Sequence, residues 1–178
     1  MAFLAADYYH YNLPIPTQSD SPSLTSSLYY KIWNRQIEAV AGSNNGPKFL
    51  EWTSLPNFGK RSCTSRTYSE LENILAYLCD GRLYKTIPIG LVIADSTMEI
   101  EKNHQVLVYA ATQDSPSLYR LKIYDPNYPM RDDVVLEAHV FYSSDFSAAH
   151  VISNEFIPGR GQKPVRGFFQ LIYQPKRP

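Results

Sequence analysis

Two adjacent segments constrain this chain more than anything else in it. They are Asn103-His104-Gln105-Val106-Leu107-Val108-Tyr109 and Leu121-Lys122-Ile123-Tyr124-Asp125-Pro126-Asn127. Side chains alternate between faces along a strand, so the register of a hairpin decides which of them meet. The polar, proline-containing stretch Gln113-Asp114-Ser115-Pro116 reads as the turn. A four-residue loop there pairs Thr112 with Ser117, and counting outward sets Val108 opposite Leu121, Val106 opposite Ile123 and His104 opposite Asp125. That face is apolar until its last pair. The other face carries Gln105, Tyr109, Arg120, Lys122 and Tyr124, so the pattern describes a half-buried antiparallel pair.

The last pair of the hairpin bears on chemistry. Directly opposed residues have Cβ atoms roughly 4.5–5.5 Å apart, within reach of a hydrogen bond from an imidazole N–H to a carboxylate. Such a bond fixes the tautomer of the ring and stabilises its protonated form, as a general base requires. His104 and Asp125 are therefore the candidate catalytic residues. The same pattern also describes a structural ion pair at a sheet edge. A nucleophile for the pair is not evident. Cys63 lies near Arg61 and Arg66, and nearby cations lower a thiol pKa, which makes it a rival nucleophile in an expected loop. Cys79 falls on an apolar stripe and is expected to be a packing residue.

The 178 residues fit one domain, and a chain of this size buries roughly 70% of its unfolded surface. Lys plus Arg equals Asp plus Glu at 17 each, which gives no electrostatic case for nucleic acid or an anionic membrane. No apolar run approaches the roughly 20 residues of a membrane span. No basic segment precedes Phe3-Leu4 as in a signal peptide, and the chain starts abruptly inside an apparent helix. Two cysteines define neither a disulfide framework nor a metal site. His10, His104, His139 and His150 lack zinc-ligand spacing. With no phosphate-cradling glycine motif either, no cofactor is expected.

Along the chain, Met1–Tyr11 is apolar and aromatic and predicts a buried helix, followed by a loop over Leu13–Ser26. Leu28, Ile32, Trp33, Ile37 and Val40 recur at helical spacing up to Gly42. Ser43–Pro47 reads as a turn, and Phe49–Ser65 as irregular chain or a short strand. Thr67 and Glu70 have the spacing of a capping box. It would open a helix with Leu71, Ile74, Leu75, Leu78 and Cys79 on one stripe, ended by Asp80-Gly81. Ile87–Ala94 reads as a central strand, Val134–Phe141 as a later one and Gly167–Tyr173 as the last. Helices first and an antiparallel sheet after them predict an α+β fold.

An ordered set of short motifs spans almost the whole chain. It runs through Met1-Ala2-Phe3 with Asp7-Tyr8-Tyr9, Ile15-Pro16-Thr17-Gln18 and Ile32-Trp33-Asn34-Arg35-Gln36. It continues through Pro88-Ile89-Gly90-Leu91-Val92, Asn103-His104-Gln105-Val106-Leu107, Tyr124-Asp125-Pro126-Asn127 and Val165-Arg166-Gly167-Phe168-Phe169. In this set the chain resembles papain-like cysteine peptidase domains, nearest to the bacteriocin-processing type and related microbial proteins. The resemblance implies a single papain-like domain over 1–178, with N-terminal helices followed by an antiparallel sheet. It implies a Cys–His–Asp arrangement with His104 as base and Asp125 as orienter, acting on a peptide or related amide. The family's nucleophile opens the first helix in a pattern like Gly-x-Cys-Gly-Gly-Met. Met1 matches that methionine, so the resemblance sets the cysteine three residues before Met1, and the 178 residues alone are expected to be inactive. The alternative expectation is a non-catalytic binding module that keeps the fold and recruits a protein partner. Its fourteen tyrosines, eight phenylalanines and two tryptophans would supply the contact anchors.

Overall fold

The computed structural model describes residues 1–17, 25–79, 86–129, 131–157 and 161–178. The fold is α+β. Among the described residues four α-helices come first: α1 (Ala2–His10), α2 (Ser26–Ala41), α3 (Asn45–Thr53) and α4 (Cys63–Cys79). Seven strands follow: β1 (Ile87–Val92), β2 (His104–Ser115), β3 (Leu118–Tyr124), β4 (Val135–Tyr142), β5 (Ser147–Ile157), β6 (Gly161–Val165) and β7 (Gly167–Gln170). A 3-10 helix, Thr97–Lys102, links β1 to β2. The strands form one sheet in the order β6-β5-β4-β3-β2-β1-β7, every neighbouring pair antiparallel. No helix among the described residues is long and apolar enough to cross a membrane.

β1 is buried at every position, as a strand covered on both faces must be. Its Ile87, Ile89 and Leu91 join Leu71 and Ile74 of α4 in the larger core cluster. On the alternate positions, Val92 joins Phe3 of α1 with Phe49 and Trp52 of α3. Gly90 lies so close to the Phe49 ring that a Cβ would collide with it, and would press tightly on the Phe169 ring. α1 is apolar almost all round, and its residues 2–7 are buried. Ala2, Ala5 and Ala6 are small enough to let it settle on Leu107 of β2.

Several local expectations are corrected. Residues 49–53 are helical, not irregular or extended. The Gly46-Pro47 pair that reads as a turn lies in the first turn of α3, where proline costs little because its missing N–H would have no helical partner. α4 begins at Cys63, four residues before Thr67. The hydroxyl accepting a helix-start N–H is that of Ser62, from Ser65 at 3.1 Å. Thr67 instead accepts from Phe168 N–H, and Glu70 accepts from Gln170 N–H. In α2 the residues at helical spacing split, Leu28 and Ile32 half-buried and Trp33, Ile37 and Val40 exposed, while Arg35 and Ala39 are the buried residues. Cys79, at the last residue of α4, is exposed, because packing on the sheet ends with the half-buried Leu78. β5 and β6 fall where no strand is expected from sequence. Asp80-Gly81 and Gln18 lie outside the described residues.

The edge strand β7 is closed by side chains. Thr67 Oγ1, Glu70 Oε2 and Asn45 Oδ1 accept the N–H groups of Phe168, Gln170 and Ile172 in turn. Lys48 Nζ and Asn45 Nδ2 donate to the carbonyls of Gln170 and Ile172. An edge otherwise open to another strand is thereby occupied.

Candidate functional site

The β2–β3 hairpin differs from the expected register. Val108 pairs with Ile123 and Leu107 with Tyr124, a two-residue slip. The turn tightens to Pro116-Ser117, with Ser115 paired to Leu118, and irregularities fall between Val108 and Ala110 and between Gln113 and Ser115. Arg120 holds the longer hairpin through ion pairs with Asp114 and with Glu137 of β4. Asp125 therefore lies diagonal to His104 instead of opposite it. The contact forms nonetheless: His104 Nε2 is 2.7 Å from Asp125 Oδ1. An even slip keeps both residues on their original faces, and diagonal neighbours remain within reach of long side chains.

Asp125 is held rigidly. It is 1% exposed and opens a turn in which Asn127 N–H donates to Oδ1 at 2.8 Å and Tyr128 N–H donates to its carbonyl at 2.8 Å. A carboxylate only accepts, so His104 Nε2 carries a proton and donates it to Oδ1. In the neutral ring Nδ1 is then the free acceptor, the atom a base uses. The Asn127 carboxamide lies 3.4 Å from His104 Nε2.

The start of β2 is fixed by Asn103. Its Oδ1 accepts from Ile93 N–H at 2.8 Å and Ala94 N–H at 2.9 Å, while Nδ2 donates to Thr53 Oγ1 at 3.0 Å. Arg166 ties the same corner together by donating to the carbonyls of Thr53, Leu55 and Ala94 and to Asn57 Oδ1. The imidazole is thus mounted on a braced junction of α3, β1 and β2, which limits its freedom before any ligand arrives.

His104 opens onto a cleft of about 520 Å³. Met1 and Ala2, at the first turn of α1, line the same cleft, together with Gln36, Val40, Phe49, Ile100 and Glu101. Gln36, Asn103 and Asn127 lie within motifs already singled out. Glu101 carried no sequence signal.

Neither cysteine lines this cleft. Cys63 is not in a loop: it is the first residue of α4, fully buried among Phe49, Trp52 and Phe169. Burial pushes its thiol up to about 11, against the opposing pull of Arg166 and the Thr67 hydrogen bond. Alkylation by iodoacetamide at neutral pH is expected to modify Cys79 and leave Cys63 untouched until the protein unfolds. Peptide mass spectrometry reads this directly, and equal labelling of both thiols is the contrary result. The raised pKa also has a sign. Below about 9 the thiol is protonated in both states and its contribution is fully present. Between about 9 and 11 only the unfolded thiol ionises, so stability falls as pH rises through that window. Cys63→Ala is expected to lack this fall, about 2–3 kcal/mol at most.

Among the described residues no three His, Cys, Asp or Glu side chains gather as a metal centre. No family model, curated protein or solved structure matches the chain.

Proposed function

We propose that this domain is a papain-like thiol amide hydrolase in which His104 is the general base, Asp125 its orienter, and the nucleophilic cysteine stands immediately before α1. One observation carries the reading: the first turn of α1 lines the same cleft as His104, whose ring is hydrogen-bonded to the buried Asp125. A cysteine at that helix start would lie beside unpaired N–H groups and the positive end of the helix dipole, both of which favour a thiolate.

The chemistry follows from these positions. His104 takes the thiol proton, and the thiolate attacks the amide carbonyl. The C–N bond breaks as the imidazolium protonates the leaving amine, which leaves a thioester. His104 then deprotonates a water that attacks the thioester, and the acid departs as the thiol regains its proton.

A second reading, a non-catalytic binding module with the same fold, is favoured by the positions of the chain's own thiols, both away from the cleft. One experiment separates the two. The chain is extended before Met1 by Gly-Ala-Cys-Gly-Gly in a Cys63→Ala, Cys79→Ala background, leaving the added thiol as the only one. The thiol hydrolase reading expects this thiol to alkylate with a pKa below the usual value of about 8.5. It also expects amide or thioester hydrolysis absent from the unextended chain. A thiol of ordinary pKa with no hydrolysis would support the binding module. Unaltered amide cleavage by the unextended double variant would rule out the thiol mechanism.

A further inference from the structure

The cleft that His104 lines contains an unbalanced charge. Within the 3-10 helix, Glu99 and Lys102 pair with each other. Glu101, between them in sequence, lines the cleft, is exposed, and has no ion-pair partner among the described residues. It is the only cleft side chain among those residues that carries a full charge at neutral pH, apart from the titratable His104. Gln36 and Gln105 line the same cleft, and neither carboxamide has a hydrogen-bond partner among the described residues. Each offers one acceptor and an N–H donor group, the complement of a peptide unit. Val40, Phe49 and Ile100 supply an apolar wall.

From these features we infer that the cleft selects an extended peptide with a basic side chain, Arg or Lys, and that Glu101 determines this specificity. The inference rests on the cleft being the substrate site of the proposed hydrolase, and it names the substrate class. A single carboxylate in a cleft walled by apolar groups raises the local concentration of cations and repels anions. The glutamine carboxamides hold the backbone, which carries no charge information, so discrimination among peptides falls to Glu101. Because the carboxylate is exposed, its effect is moderate and screened by salt.

The test is binding to the 178-residue chain as it stands, followed through the amide NMR signals of residues 100–105 and 127. The probes are three blocked pentapeptides, acetyl-Ala-Leu-Xaa-Gly-Ala-amide, with arginine, its neutral isostere citrulline, or glutamate at Xaa. The arginine peptide is expected to bind about three- to five-fold more tightly than the citrulline peptide, and the glutamate peptide more weakly than either. The preference should vanish in Glu101→Gln, reverse in Glu101→Lys and shrink at 0.5 M salt relative to ~0.1 M. Equal affinities for arginine and citrulline overturn the inference. So does a preference that survives Glu101→Gln, or the absence of cleft shifts with any of the three. Binding requires no thiol, so these outcomes are independent of whether the cysteine-extended chain hydrolyses an amide.

Discussion

Arg35→Met is expected to lower the stability of the protein by about 3–5 kcal/mol, the cost of leaving a buried carboxylate without its cation. Asp7 of α1 is 1% exposed and Arg35 of α2 is 7% exposed. The guanidinium donates to both carboxylate oxygens, Nε to Oδ2 at 2.6 Å and Nη2 to Oδ1 at 3.0 Å, with a further bond to the carbonyl of Gln174. It also sits over the Phe3 and Tyr173 rings. Asp7 accepts from the Tyr173 hydroxyl at 2.8 Å and from Lys176 N–H at 2.9 Å, which ties the C-terminal residues to both helices. Asp7→Asn should cost less than Arg35→Met, because Glu38 and the Gln174 carbonyl still receive the guanidinium. The double variant should fall well short of the summed losses, since neither partner is then left charged and alone. Urea unfolding of the four proteins tests this. A loss under 1 kcal/mol in Arg35→Met would mean that the guanidinium is effectively solvated. Because α1 carries the first turn facing His104, losing this clamp should also broaden the NMR signals of residues 1–6.

This clamp shows which parts of the structure were legible in the sequence. Met1-Ala2-Phe3-Leu4-Ala5-Ala6 declares a buried helix by composition, and Ile87–Val92 declares a doubly covered strand, because both signals are local. The Asp7–Arg35 pair joins residues 28 apart, and no periodicity announces it. The spacing in α2 read the helix, and the pair sets its facing: Arg35 turns inward to meet a carboxylate and leaves Trp33 and Ile37 outside. α3 was hidden by Gly46-Pro47, residues that punctuate loops and yet fit a first helical turn. In β5, Ala148 and Ala149 are both buried, which breaks the alternation that marks a strand. The expected register would have lost the His104–Asp125 contact on a slip of two, yet the contact forms, because that slip preserves faces and leaves the residues diagonal, within side-chain reach. The remainder of the cleft comes from α1, α2, α3, the 3-10 helix and β2, and no local pattern joins Glu101 to Gln36.

In the cysteine-extended chain, His104→Ala is expected to lower the rate of amide or thioester hydrolysis by about 10²–10⁴-fold, the usual range for a positioned general base. The same substitution should raise the pH at which the added thiol alkylates, since the thiolate loses its imidazolium partner. The two Asp125 variants separate orientation from charge. Asp125→Ala removes the acceptor of the Nε2 proton, so the ring can move its proton to Nδ1 and cease to act as a base. Asp125→Asn behaves differently because Asn127 N–H donates to the Oδ1 position. An amide introduced there would keep its oxygen toward that N–H and therefore toward Nε2, since the flipped amide would set two donors against each other. The tautomer survives in the Asp125→Asn variant, and only the charge that stabilises the imidazolium is lost. The expected order of damage is His104→Ala, then Asp125→Ala, then Asp125→Asn, the last at about ten-fold or less, or ~1.4 kcal/mol of transition-state stabilisation. If all three variants hydrolysed at the parental rate with an unchanged thiol titration, His104 and Asp125 would be a structural pair and the catalytic assignment would fall with them.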